Sequence, residues 1–121
     1  MASQQVHFIH HLATAKVDLS LDQSAKEVAI IPKDSEVTYL SVEVIEPANG
    51  TAKLDLGYGG DKENLANDID ITIAGVKTAN IALTPNKNEI ITASIASGKP
   101  TQGVFKVRVG YYLASLRPYE I

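Results

Sequence analysis

Residues 36–60 read EVTYLSVEVIEPANGTAKLDLGYGG, and the fold class turns on how this stretch is read. Leu40, Val42 and Val44 alternate with Tyr39, Ser41 and Glu43. Further on, Ala52, Leu54, Leu56 and Tyr58 alternate with Lys53, Asp55 and Gly57. A strand sends successive side chains to opposite faces, so each arm has one apolar and one wetter face. Between them lies Pro47-Ala48-Asn49-Gly50. Proline cannot continue a central strand, and Asn-Gly takes the positive φ of a tight turn. The expectation is a β-hairpin over 36–58. Gly57-Tyr58-Gly59-Gly60 then ends the second strand and turns the chain; it lacks the continuation of a phosphate loop.

The same period recurs on both sides. Upstream, QVHFIHHL (5–12) fits an edge strand or an extended arm, AKVDLSL (15–21) alternates cleanly, and KEVAII (26–31) is a short run stopped by Pro32. Downstream, Asp61 stands where it can cap a short helical turn, with Leu65 and Ile69 one turn apart. Ile69, Ile71 and Ile73 alternate again. Ala79-Ile81-Leu83 and EIITASI (89–95) read as strands. In GVFKVRVGYYLASL (103–116) Phe105, Val107, Val109 and Tyr111 share one face and Lys106 and Arg108 the other, which makes 103–113 a central strand. No stretch holds a helical period for ten residues. Many short alternating runs separated by turns indicate an all-β, antiparallel β-sandwich. The expected layout is a single domain over 1–121 with extended arms at 1–13 and 114–121.

Composition narrows the function classes. The 121 residues are 45% hydrophobic with a net charge of −3, an ordinary globular balance without the basic stripe of a nucleic-acid binder. The sequence has no cysteine, which removes disulfides, thiolate nucleophiles and zinc–thiolate sites. The N-terminal MASQQVHFIHHL lacks the pattern of a signal peptide, and no apolar run nears the ~18 residues of a membrane span. The expectation is a protein made in the cytoplasm, with neither nucleic acid nor membrane as partner.

Candidate sites are few. His7, His10 and His11 are close in sequence, but a strand scatters them onto both faces and no metal motif accompanies them. Asp61, Glu63, Asp68 and Asp70 lack calcium-loop spacing. Asn49-Gly50-Thr51 has the form of a glycosylation sequon, and the turn accounts for it. No serine triad is legible, and paired carboxylates have little room for a cleft in a chain of this length. The expectation is no enzyme, no metal and no cofactor. Apolar and aromatic residues gather instead at the two ends: Val6, Phe8 and Ile9, then Tyr112, Leu116, Tyr119 and Ile121. Tyrosine is a favoured interface anchor, and neither end alternates like a buried strand, so these seven residues are the candidate partner-binding set.

The run VTYLSVEVIEPANGTAKLDLGYGGDKENLANDIDI (37–71), with its strand, turn, second strand, G-x-G-G-D and acidic turn, resembles a segment of small tailed-bacteriophage capsid decoration, or cement, proteins. GVFKVRVGYYLASL is similar to their closing strand. The resemblance implies a jelly-roll-like β-sandwich on the capsid exterior. It also implies the major capsid protein as partner, bridging between neighbouring subunits, and a homo-oligomer, with a trimer favoured. It carries over no catalytic residues. A different class, a β-sandwich recognition module of a tail or fibre, needs an aromatic platform for a carbohydrate or receptor; Tyr39, Tyr58 and Tyr112 are its candidates.

Overall fold

The computed structural model describes residues 3–4, 8–21, 25–114 and 119–120, with side chains for 9–21 and 25–113. Among the described residues ten strands follow in order: β1 (Ser3–Gln4), β2 (Phe8–Asp18), β3 (Lys26–Ile31), β4 (Glu36–Glu46), β5 (Lys53–Gly57), β6 (Ala66–Asp70), β7 (Gly75–Leu83), β8 (Glu89–Ser97), β9 (Val104–Ala114) and β10 (Tyr119–Glu120).

The pairing has one rule. β1 pairs with β10, β2 with β9, β3 with β8, β4 with β7 and β5 with β6, all antiparallel. The chain is therefore one long two-stranded ribbon, doubled at residues 58–65 and open at the termini. The ribbon rolls up so that β4 also pairs with β9 and β5 with β8. Two four-stranded sheets result, ordered β2-β9-β4-β7 and β3-β8-β5-β6, beside a two-stranded β1-β10 ribbon. This is a jelly roll, the double-sheet form of an antiparallel β-sandwich. Its inward faces form the core: Val42, Val44, Phe105, Val107 and Val109 from one sheet, Ile31, Leu54, Leu56 and Ile91 from the other.

At each corner both strands of the ribbon cross together, held by hydrogen bonds between their loops. The Leu19 N–H donates to the Gly103 carbonyl at 2.8 Å, that of Asp34 to Pro85 at 2.8 Å, and that of Ala48 to Ile71 at 2.9 Å. The first and third corners share a device. Asp18 accepts the N–H and hydroxyl of Ser20, and Asp70 those of Thr72, while Leu19 and Ile71 between them are buried.

Residues 36–58 are thus two strands, as the alternation predicts, but not a hairpin. β4 and β5 lie in different sheets and do not pair with each other. Their apolar faces meet across the core, and the connection through Pro47 is a corner: buried Ala48 and Ala52 let it lie close, and the Asn49 side chain bonds Thr101. The expected strand over Ile69–Ile73 stops at Asp70, because its carboxylate takes the Thr72 N–H and pulls the chain out of the ladder. Residues 8–12, for which the sequence allows an edge strand or an extended arm, belong to β2, an edge strand paired with β9. β9, by contrast, lies inside its sheet, as its pattern predicts.

No helical turn forms at Asp61. Gly59 and Gly60 take positive φ, and the Asn64 amide clamps Tyr58 by accepting from its N–H and donating to its carbonyl. The Asp61 carboxylate accepts the Glu63 N–H at 2.9 Å. The tip then folds back on β5: a Cβ at Gly57 would collide with the backbone of Asp61, Lys62 and Glu63.

Candidate functional site: the open end of the ribbon

Exposed apolar side chains are spread over the molecule, with Leu21, Ile30, Ile73 and Val76 among them, but at the end opposite the tip Ile9, Leu12 and Tyr112 adjoin a cluster of aromatic rings. β2 and β9 pair to their outermost residues: Phe8 with Ala114, Ile9 with Leu113, His10 with Tyr112. Beyond them Ser3 pairs with Glu120 and Gln4 with Tyr119. The two ends that the sequence singles out separately are the two strands of one ribbon. A single structure, rather than two arms, is what this end can present to a partner.

Of the seven candidate residues, Ile9 and Tyr112 have described side chains; they are 54% and 39% exposed. Phe8 and Tyr119 are placed by strand register alone. Val6, Leu116 and Ile121, like His7, lie outside the described residues.

Strand alternation sends His10 and His11 to opposite faces. His11 stacks on Tyr111, ring centroids 5.2 Å apart at 12°. His10 packs against Tyr112 at 4.8 Å and stacks on Tyr39 at 6.3 Å. Tyr39 in turn lies flat across Gly110, where a Cβ would strike its ring. Leu12, 48% exposed, is the other cross-strand neighbour of Gly110. His10, Leu12, Tyr39 and Tyr112 therefore form one apolar and aromatic patch on the outer face of the β2-β9-β4-β7 sheet. Sequence reasoning missed Leu12 and the use of Gly110. The signal was a glycine inside a strong alternating strand, which often marks close approach of another group. Tyr58 follows β5 on the other sheet, so it does not join Tyr39 and Tyr112.

Next along this outer face, Lys16 and Lys106 are cross-strand partners, as are Thr14 and Arg108. Arg108 reaches Glu43 at 2.8 Å. Among the described residues, no three His, Cys, Asp or Glu side chains are grouped to hold a metal. None of the helices needed for a membrane span occurs there either, which leaves β-strand crossing unaddressed. The Asp55, Asp61 and Asp70 carboxylates near the tip are engaged locally. Asp55 is buried and accepts the Asp68 N–H at 2.8 Å, and Asp70 pairs with Lys53 at 3.6 Å.

No protein family model matches the chain. No curated protein sequence matches it either. Solved structures do. A chain of the acidic stable capsid structure of Helicobacter pylori bacteriophage KHP30 superposes with a TM-score of 0.81 at 20% identity, covering 99% of this chain and 100% of that one. A chain of the cyanophage Pam1 capsid asymmetric unit gives 0.64 at 16% identity, over 93% and 91%. A chain of the Ralstonia phage GP4 capsid gives 0.56 at 15%, over 88% and 86%. At such identities the likeness establishes the fold: this chain has the architecture of chains found in three phage capsids.

Proposed function

We propose that the protein is a structural, non-enzymatic component of a phage virion, bound to the capsid exterior, where it bridges neighbouring major capsid subunits and stabilises the head. The reading rests chiefly on the end-to-end match with a chain of the KHP30 capsid structure, over 99% of this chain and 100% of that one. Homo-oligomerisation, as a trimer, accompanies this role. Repeated copies on a symmetric shell turn a modest contact into a strong one by avidity.

The contact is assigned to the open end of the ribbon: Val6, Phe8, Ile9, Tyr112, Leu116, Tyr119 and Ile121. The exposure of Ile9 and Tyr112 supports it, since apolar area left open in the free chain gains about 25 cal/mol per Å² when covered, before ordering costs. Removing residues 117–121, or changing Tyr119 and Ile121 to alanine, is expected to leave the melting curve of the free protein in place and to abolish co-sedimentation with empty heads. Heads without the protein then burst at lower temperature. Unfolding of the truncated chain makes the ribbon end part of the core and removes the proposal. Undiminished head binding by a folded truncation moves the contact elsewhere.

A further inference from the structure

Of the chain's asparagines, Asn49 alone is followed by glycine. That pair is chemically labile, because a residue without a Cβ lets its backbone nitrogen approach the neighbouring side-chain carbonyl closely. Gly50 leaves the approach open: its φ is 74°, and a Cβ built there would meet nothing within 4 Å. Asn49 and Gly50 are both exposed to water. What holds the side chain back is Thr101. Its N–H donates to Asn49 Oδ1 at 2.9 Å, and its hydroxyl oxygen accepts from Asn49 Nδ2 at 3.1 Å. A backbone N–H can only donate, which fixes the amide oxygen on that side. Turning the amide carbon toward the Gly50 nitrogen therefore breaks two bonds at once. Behind this clamp the corner is tight. A Cβ at Gly103 would lie 2.9 Å from Ala48 Cα, and one at Gly98 would lie 3.2 Å from Ala52 Cα.

We infer that Asn49 is a site of spontaneous deamidation, that Thr101 sets its rate, and that conversion loosens the corner between β4 and β5. The Gly50 nitrogen attacks Cγ of Asn49. A new N–C bond forms, the Cγ–Nδ2 bond breaks, and the amide nitrogen leaves as ammonia with the proton from Gly50. Water then opens the cyclic imide at one carbonyl or the other, giving aspartate or isoaspartate. Nothing is oxidised or reduced, and water is the co-reactant. Isoaspartate routes the main chain through the side-chain methylene. The backbone then lengthens by one carbon beside buried Ala48, where the close approach of Gly103 leaves no room. Aspartate keeps the normal backbone and an acceptor for the Thr101 N–H, and adds only a charge.

The test follows the free, full-length chain by peptide mass mapping during warm incubation at mildly alkaline pH, so it is independent of head binding. The acid form should build up at residue 49 ahead of every other asparagine. Two neutral hydrogen bonds should make the folded chain react about tenfold more slowly than the same chain in guanidinium chloride. Thr101→Val, which removes the hydroxyl and keeps the N–H, should raise the folded rate about threefold. The isoaspartate form, isolated by ion exchange, should melt lower than Asn49→Asp, which carries the same charge on a normal backbone. Earlier modification at another asparagine, equal rates in the folded and unfolded chain, or a folded Thr101→Val that reacts like the wild type overturns the inference. If Thr101→Val fails to fold, the comparison of folded and unfolded wild type decides. Equal melting of the isoaspartate form and Asn49→Asp overturns the loosening of the corner.

Discussion

The tip of the ribbon and its open end are made of the same kind of strand, yet one is packed and the other is left bare. At the tip, residues 61–63 press backbone against Gly57, Asn64 ties off Tyr58, and buried Asp55 receives the Asp68 N–H. At the open end the same sort of close approach is made by a side chain, with the Tyr39 ring over Gly110 and exposed His10, Leu12 and Tyr112 around it. Backbone against backbone leaves nothing that can rotate away. A ring over a glycine can swing off at modest cost. The difference teaches where the molecule invests in rigidity and where it leaves side chains exposed.

Matched glycine substitutions probe that contrast directly, and the tip should give the larger effect. Gly57→Ala places a methyl inside the backbone of Asp61 to Glu63, which must move as a unit and break the turn. A loss of about 3 kcal/mol is expected, read from urea or thermal unfolding. A change below about 1 kcal/mol means the tip yields readily and is no more rigid than the open end.

Gly110→Ala should cost less, about 1 kcal/mol, because the obstacle is a rotatable ring. A double-mutant cycle makes the point sharper. Once Tyr39→Ala has removed the ring, the added methyl at residue 110 should cost almost nothing, giving a coupling of about 1 kcal/mol between the two sites. Additive effects would mean that the ring does not lie on the glycine in solution.

The two ends also differ in how legible they were. Alternation located the strands, and Phe105, Val107 and Val109 face inward as their spacing requires. Pairing was another matter. β4 and β5 look like a hairpin because period-2 patterning records which face is buried, not which neighbour completes the ladder. In a rolled ribbon the partner of β4 is β7, whose residues 75–83 follow only after the whole tip. The tip's glycines were readable as a turn, whereas the clash that makes Gly57 necessary depends on a loop folding back. At the open end, Ile9 and Tyr112 were singled out from composition alone, and the structure shows both exposed. Their union in one ribbon needed the register, as did the Lys16–Lys106 pair, whose members are distant in sequence.

The corners between the ends offer the smallest effect and a control on the comparison. Asp18-Leu19-Ser20 lies at the corner nearest the open end and Asp70-Ile71-Thr72 at the corner nearest the tip, and both use one device. Each carboxyl is held below its usual range, first by the hydroxyl of Ser20 or Thr72 and then by that residue's N–H. A folded pKa below the unfolded one means the stabilising contribution is fully present above the ordinary carboxylate value of about 3.9. It fades as pH falls through the lower folded value. Asp18→Asn and Asp70→Asn should each lower the melting temperature slightly at neutral pH, and less as pH drops below about 4, where the native carboxylate is itself lost. Melting curves across that range check it. If rigidity belongs to the tip and not to its half of the molecule, the two variants should respond alike. A pH response confined to Asp70→Asn would extend the rigid region from the tip into the adjoining corner.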